Sequence, residues 1–176
     1  MMVVALIGMR GAGKTSVGRV LAARLGVPFV DTDAEVERRF GRPIAQVFAA
    51  GEVAEFRLVE AEVVAEALAG TDAVVATGGG CVEDGATRAR LAAGFAVWLT
   101  APAAVLAARC EGSGRPALTD LGGVAEFEAV LARREALYAE CARVVVATDG
   151  RGVEEICEAI VAAPGSPHPR AGGPRR

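Results

Sequence analysis

The sequence holds a single histidine, His168, and it lies close to the end of the chain. The four cysteines, Cys81, Cys110, Cys141 and Cys157, are scattered, with no C-x-x-C pair among them. With one histidine and no paired thiols, a zinc site is not expected. Cysteines spaced in this way suit the reducing cytoplasm. Each is read as a small buried hydrophobe, and Cys81 stands apart only because a glycine run precedes it. No window approaches the ~20 apolar residues that a membrane span needs. The first apolar run is too short for a secretory signal and has no basic leader. Positive charge is in deficit. There are 19 Lys and Arg against 22 Asp and Glu, which gives a formal net charge of -3 and a pI near 5.3. That balance argues against general nucleic-acid binding. An anionic ligand must therefore meet local positive charge. No internal repeat of 20–50 residues is present.

What is there is a globular composition. The 176 residues are 52% hydrophobic, enough for one domain with a proper core. The most informative stretch comes early, Gly8-Met9-Arg10-Gly11-Ala12-Gly13-Lys14-Thr15. An apolar run, Val3 to Ile7, precedes it, and a helical pattern from Ser16 to Leu25 follows. Strand, glycine loop with lysine and hydroxyl, then helix is the context of a phosphate-binding loop. Glycines let the backbone wrap an anion so that its N–H groups converge. The helix N-terminus adds the positive end of its dipole. Lys14 supplies a mobile charge, and Thr15 an oxygen ligand for magnesium.

Further strands are expected at Val27–Val30, Ala73–Ala76, Phe95–Leu99 and Val144–Val146. They alternate with helical patterns, the last from Val153 to Ala162. Such alternation predicts an α/β fold, a five-stranded parallel sheet flanked by helices on both faces. The second strand runs into Asp31-Thr32-Asp33. Ligands of open parallel sheets bind beyond the carboxyl ends of the strands, so both carboxylates face the phosphate loop. In an extended stretch they share a face. Thr32 or Asp33 also suits the N-cap of the next helix, and capping does not exclude a chemical role. The third strand runs into Thr77-Gly78-Gly79-Gly80. It lacks the magnesium-binding acid that phosphate-loop proteins often carry at such a strand end, and Asp31 is the available substitute. The glycine run is either a plain loop or a place where a ligand approaches backbone.

Arg57 and Glu60 are spaced i, i+3 on a helix from Val53 to Leu68. The plainer account is an exposed ion pair of little weight. The alternative is an arginine oriented to clamp a substrate carboxylate. Glu111-Gly112-Ser113-Gly114-Arg115-Pro116 has the composition of a mobile lid, or of an ordinary surface loop. Pro164 to Arg176 has no apolar pattern and reads as a disordered tail.

Six separated motifs together resemble the shikimate kinase family: Gly8 to Thr15, Asp31-Thr32-Asp33, Phe56-Arg57 with Glu60, Gly78-Gly79-Gly80, Arg115-Pro116, and Arg134 ahead of Leu137-Tyr138. The resemblance spans residues 1–163. It implies a P-loop kinase domain with a helical substrate-binding insert over 33–61 and a lid over 111–122. It implies transfer of the γ-phosphoryl of ATP to the 3-hydroxyl of shikimate, with Mg2+ as cofactor, by a cytoplasmic monomer without nucleic-acid or membrane partners. Under it, Gly11, Ala12, Gly13, Lys14, Thr15 and Ser16 cradle the phosphates, and Arg109 and Arg151 border the adenine. Thr15 ligates the metal, with Asp31 assisting through water. Asp33 binds the shikimate hydroxyls as the base or beside it. Arg57 and Arg134 grip the carboxylate next to Gly78, Gly79 and Gly80, and Arg115 descends with the lid. Lys14, Asp33 and Arg115 form the catalytic set.

The chain departs from the common family pattern in a lid one residue short after Arg109, and in Met9-Arg10, where small or proline residues are more frequent. The alternative readings are another small-molecule P-loop kinase, such as a gluconate kinase, and a non-catalytic nucleotide-binding module.

Overall fold

In the computed structural model, residues 2–112 and 117–166 are described. Arg115, Pro116 and most of the expected tail lie outside them. The strands β1 (Val3–Ile7), β2 (Phe29–Asp31), β3 (Ala73–Ala76), β4 (Phe95–Thr100) and β5 (Val144–Ala147) form one sheet in the order β2-β3-β1-β4-β5. All its pairings are parallel. Runs rich in Val, Leu and Ile suit strands covered on both faces, and Val4, Leu6, Ile7, Val74, Val75, Val97 and Leu99 are fully buried. β5 is an edge strand, and Val145 stays exposed there.

Sheet register sets the active end. Leu6 pairs with Ala76, and Ala76 pairs with Asp31 on its other side. The loops that follow β1, β3 and β2 therefore emerge side by side, at the carboxyl ends where ligands of such sheets bind.

Helix α1 (Lys14–Leu25) begins two residues earlier than the apolar pattern suggests. Its N-cap is Gly13 at φ 92, a left-handed conformation that favours glycine. Gly26 ends it in the left-handed C-cap geometry. Helices α2 (Thr32–Phe40), α3 (Ile44–Ala49) and α4 (Val53–Ala69) follow β2. Val36, Val47, Phe56 and Val63 pack into a core of their own, separate from the core around the sheet. Helices α2, α3 and α4 thus form a small helical lobe whose base is the long α4. The remaining helices are α5 (Gly85–Ala93), α6 (Ala103–Cys110), α7 (Gly123–Cys141) and α8 (Val153–Ala162). A short 3-10 turn, Cys81–Glu83, links the glycine run to α5. Among the described residues, no helix is long and apolar enough to cross a membrane.

Candidate active site

The loop after β1 closes tightly over the sheet. A side chain at Gly8 would run into the Leu99 carbonyl, and one at Gly11 into the Leu106 carbonyl. These positions are glycine because backbone passes within contact distance of backbone. Lys14, the chain's sole lysine, donates from Nζ to the carbonyls of Gly8 at 2.7 Å and Met9 at 2.9 Å. Gly13 offers no side chain to cap α1, which leaves the first-turn N–H groups to an anion. A cavity of about 470 Å³ opens over Gly11, Ala12, Gly13, Lys14, Thr15 and Ser16. Arg109 and Arg151 line its far wall with Thr148. Arg109 donates to the Thr148 hydroxyl and carbonyl, both at 3.0 Å, and to the Gly11 carbonyl at 3.3 Å. Arg151 reaches the carbonyls of Ala147 and Glu155.

Asp31 has two jobs on two oxygens. Oδ2 accepts from the Thr15 hydroxyl at 2.9 Å, and Oδ1 accepts from the Asp33 backbone N–H at 3.1 Å. Asp31, rather than Thr32 or Asp33, is therefore the N-cap of α2. The shared extended face expected of the two carboxylates is also corrected. Asp33 sits in the first turn of α2, because capping by Asp31 turns the chain into helix at Thr32. Thr32 is fully buried and accepts from the Gly78 N–H at 3.1 Å, which ties the acidic stretch to the glycine run.

A second cavity, of about 520 Å³, lies between the helical lobe and the glycine run. Asp33, Arg57, Glu60, Gly78, Gly79, Gly80 and Arg134 all line it. The two cavities share Arg10, Thr15, Asp31 and Asp33 along their common border. Arg57 donates to Glu60 at 2.6 Å, and Glu60 is 3% exposed. The exposed ion pair that local spacing favoured is thus a buried carboxylate orienting an arginine over a cavity. Burial raises the Glu60 pKa above the usual carboxylate range, and the Asp33 charge adds to this while Arg57 opposes it. Arg134 is 5% exposed, whereas its neighbour Arg133 faces solvent. A Cβ on Gly80 would overlap the Arg57 guanidinium, and one on Gly78 the carboxylates of Glu60 and Asp33. The glycine run is therefore not a plain loop, since charged groups pack against its bare backbone.

Several contributors had no role assigned from the sequence. Glu83 accepts from Arg134 Nε at 2.8 Å and lies 3.6 Å from Arg57. Tyr138 is fully buried, stacks on Trp98 and donates to the Gly79 carbonyl at 2.5 Å. Burial pushes its phenol well above the ordinary value. Glu126 is buried at the start of α7 and pairs with Arg10 of the phosphate loop. Its other oxygen accepts from the N–H groups of Leu118 at 3.0 Å and Thr119 at 3.3 Å. The half-buried Leu118 in turn lines the second cavity. Cys81 is buried, and burial pushes its thiol up to about 12. That thiol is packing, not a nucleophile.

The arrangement offers a phosphate cradle on one side and, on the other, a pocket with two arginines set for an anion. A carboxylate at their border can orient a hydroxyl. Known proteins match this pattern. The family model described as shikimate kinase matches residues 10–163. The chain is 44% identical over 162 residues to a shikimate kinase of Symbiobacterium thermophilum, covering 90% of this chain and 93% of that one. It is 45% identical over 157 residues to a shikimate kinase of Thermobifida fusca, covering 88% and 90%. Its fold is similar to that of a shikimate kinase from Acinetobacter baumannii solved in complex with shikimate. There the TM-score is 0.87 at 32% identity, over 92% of this chain and 91% of that one.

Proposed function

The chain belongs to the shikimate kinase family, and from that membership we propose a division of labour among its side chains. It is an ATP-dependent phosphotransferase that passes the γ-phosphoryl of ATP to the 3-hydroxyl of shikimate, a step toward aromatic amino acids. Residues 11–16 hold the nucleotide phosphates, with Lys14 neutralising the outer ones and Arg109 and Arg151 bordering the base. The helical lobe over 33–61 and the glycine run hold shikimate. Arg57 and Arg134 take its carboxylate, a task for which paired guanidiniums are well shaped. Asp33 accepts a hydrogen bond from the attacking hydroxyl and aims it at the phosphorus. Phosphoryl transfer passes through a loose transition state, so positioning and charge neutralisation outweigh basicity. Arg115, with the lid over 111–122, adds charge on the phosphates.

Thr15 and Asp31 fit magnesium. Both are hard oxygen donors in mutual contact at the border of the two cavities, and magnesium is commonly held by one or two protein oxygens plus substrate phosphates. When bound, the ion neutralises phosphate charge. Thr15 would hold it directly and Asp31 through water. Action as a monomer in the cytoplasm is part of the same proposal, and four free cysteines support the cytoplasmic setting.

The observation that carries this reading is the cavity holding Arg57 and Arg134 against the Asp33 border of the phosphate cradle. Gluconate also carries a carboxylate, so it is the family match that speaks against gluconate kinase, while the acceptor cavity beside the phosphate cradle speaks against a silent nucleotide-binding module. An ADP-release assay with shikimate and gluconate in parallel tests it. Turnover with shikimate alone is expected, and turnover with gluconate alone would overturn the reading.

A further inference from the structure

Arg57 and Arg134 come from different helices, α4 and α7, 77 positions apart in sequence. Two guanidiniums at one pocket wall repel each other. One carboxylate bridges them. Glu83 accepts from Arg134 Nε on Oε1 at 2.8 Å and turns Oε2 toward Arg57 at 3.6 Å. Arg57 is consequently held on two sides, by Glu60 through Nη1 and by Glu83 near Nη2.

Glu83 does this from outside the substrate pocket. It is 41% exposed and is not part of the acceptor cavity's lining. It lines a smaller cavity of about 290 Å³ on the other side of Arg57, Glu60 and Gly80. Its own backbone is fixed. The Glu83 N–H donates to the Gly80 carbonyl at 2.9 Å, and Arg88 of α5 donates to the carbonyls of Val82 at 2.8 Å and Glu83 at 3.3 Å. A pinned backbone and a carboxylate shared by two arginines make a spacer rather than a solvated side chain.

We propose that Glu83 is a positioning residue for the acceptor, setting the separation and tilt of Arg57 and Arg134 before the substrate carboxylate arrives. This rests on the assignment of those arginines to the shikimate carboxylate. Pre-set guanidiniums lose less freedom when they bind an anion. Because Glu83 stands outside the pocket, it does not compete with the substrate for them.

Glu83→Gln keeps the size of the side chain but cannot serve two cations, and Glu83→Ala removes it. Steady-state kinetics of both variants beside the wild type should show the shikimate KM raised about 5- to 10-fold, with kcat and the ATP KM within twofold. Thermal midpoints should change little, since the partly exposed side chain and its ion pairs are screened by solvent. Glu83→Ala combined with Arg134→Ala should raise the shikimate KM by less than the product of the two single effects, since the two changes share one contact. An unchanged shikimate KM in both single variants, with an active wild type, would overturn the proposal. So would a lowered one, which would make Glu83 a competitor, or an equal rise for both substrates with a lower thermal midpoint, which would make its role structural. A wild type inactive on shikimate would overturn the functional reading and the proposal with it.

Discussion

The Thr15 hydroxyl donates to Asp31 Oδ2 at 2.9 Å, joining the end of the phosphate loop to the end of β2. The same carboxylate caps α2 through the Asp33 N–H. Asp31→Ala should therefore do two separable things. Loss of the cap should cost about 1 kcal/mol of stability, read by urea unfolding. Loss of the second oxygen for magnesium should raise the Mg2+ concentration for half-maximal turnover several-fold. A variant that loses stability yet keeps its Mg2+ dependence would restrict Asp31 to capping.

Asp33 and Arg57 line one cavity but should fail in different ways. Asp33→Asn should lower kcat by about 100-fold or more while ATP still binds by calorimetry. Arg57→Ala should weaken shikimate binding about 10- to 100-fold, the scale of a lost charged hydrogen bond, and leave ATP binding intact. Full activity in Asp33→Asn would remove that carboxylate from the mechanism.

Glu126 serves three donors from a buried position: Arg10, Leu118 and Thr119. Glu126→Ala leaves a half-buried guanidinium and two N–H groups to find other acceptors. It should cost about 3–5 kcal/mol, the usual penalty for breaking a buried pair from one side. Glu126→Gln, which keeps the acceptor, should cost less. Chemical denaturation of both separates the terms, and a cost near zero in Glu126→Ala would show that these contacts carry no weight.

The thiols make a pH prediction. Cys81 is buried, and its pKa is raised from 9.0 to about 12. The folded state keeps this proton where the unfolded chain has lost it. The associated stability is fully present below pH 9 and falls as pH rises above it, by about 1.4 kcal/mol per unit until the folded thiol itself ionises. Urea unfolding at pH 8, 9 and 10 reads the slope, and Cys81→Ala should reduce it, the remainder coming from Cys141 and Cys157, whose thiols burial also pushes up. In the native protein Cys81 should resist a thiol reagent at pH 8, whereas Cys110, half-exposed at the nucleotide cavity, should react and be protected by ATP.

The sheet was legible because its strands are short apolar runs with sharp ends. Ala73–Ala76 and Val153–Ala162 match the observed bounds. The phosphate loop was legible because its chemistry is contiguous. The remaining contributors depend on contacts between distant positions. Thr32 meets Gly78, Tyr138 meets Gly79, and Glu83 meets Arg134, pairs separated by 46, 59 and 51 positions. Local spacing carries no record of such pairs. Glu60 is the instructive intermediate. Its i, i+3 relation to Arg57 was readable, but its burial depends on how α4 packs against the glycine run, and burial separates an orienting group from an idle surface pair.

Lys14 is the only side-chain amine in the molecule, and it is cradled by the carbonyls of Gly8 and Met9. Lysine-directed chemistry therefore has one address on this protein. A metabolic acyl donor that marks a typical enzyme at a scatter of harmless surface amines finds here only the ammonium that serves the phosphates. Degree of labelling at Lys14, counted apart from the α-amine, and degree of inactivation should be the same number. Chain grown with nitrogen-15 lysine would carry a single side-chain resonance, a background-free reporter on the moment the nucleotide takes that charge from the loop's own oxygens.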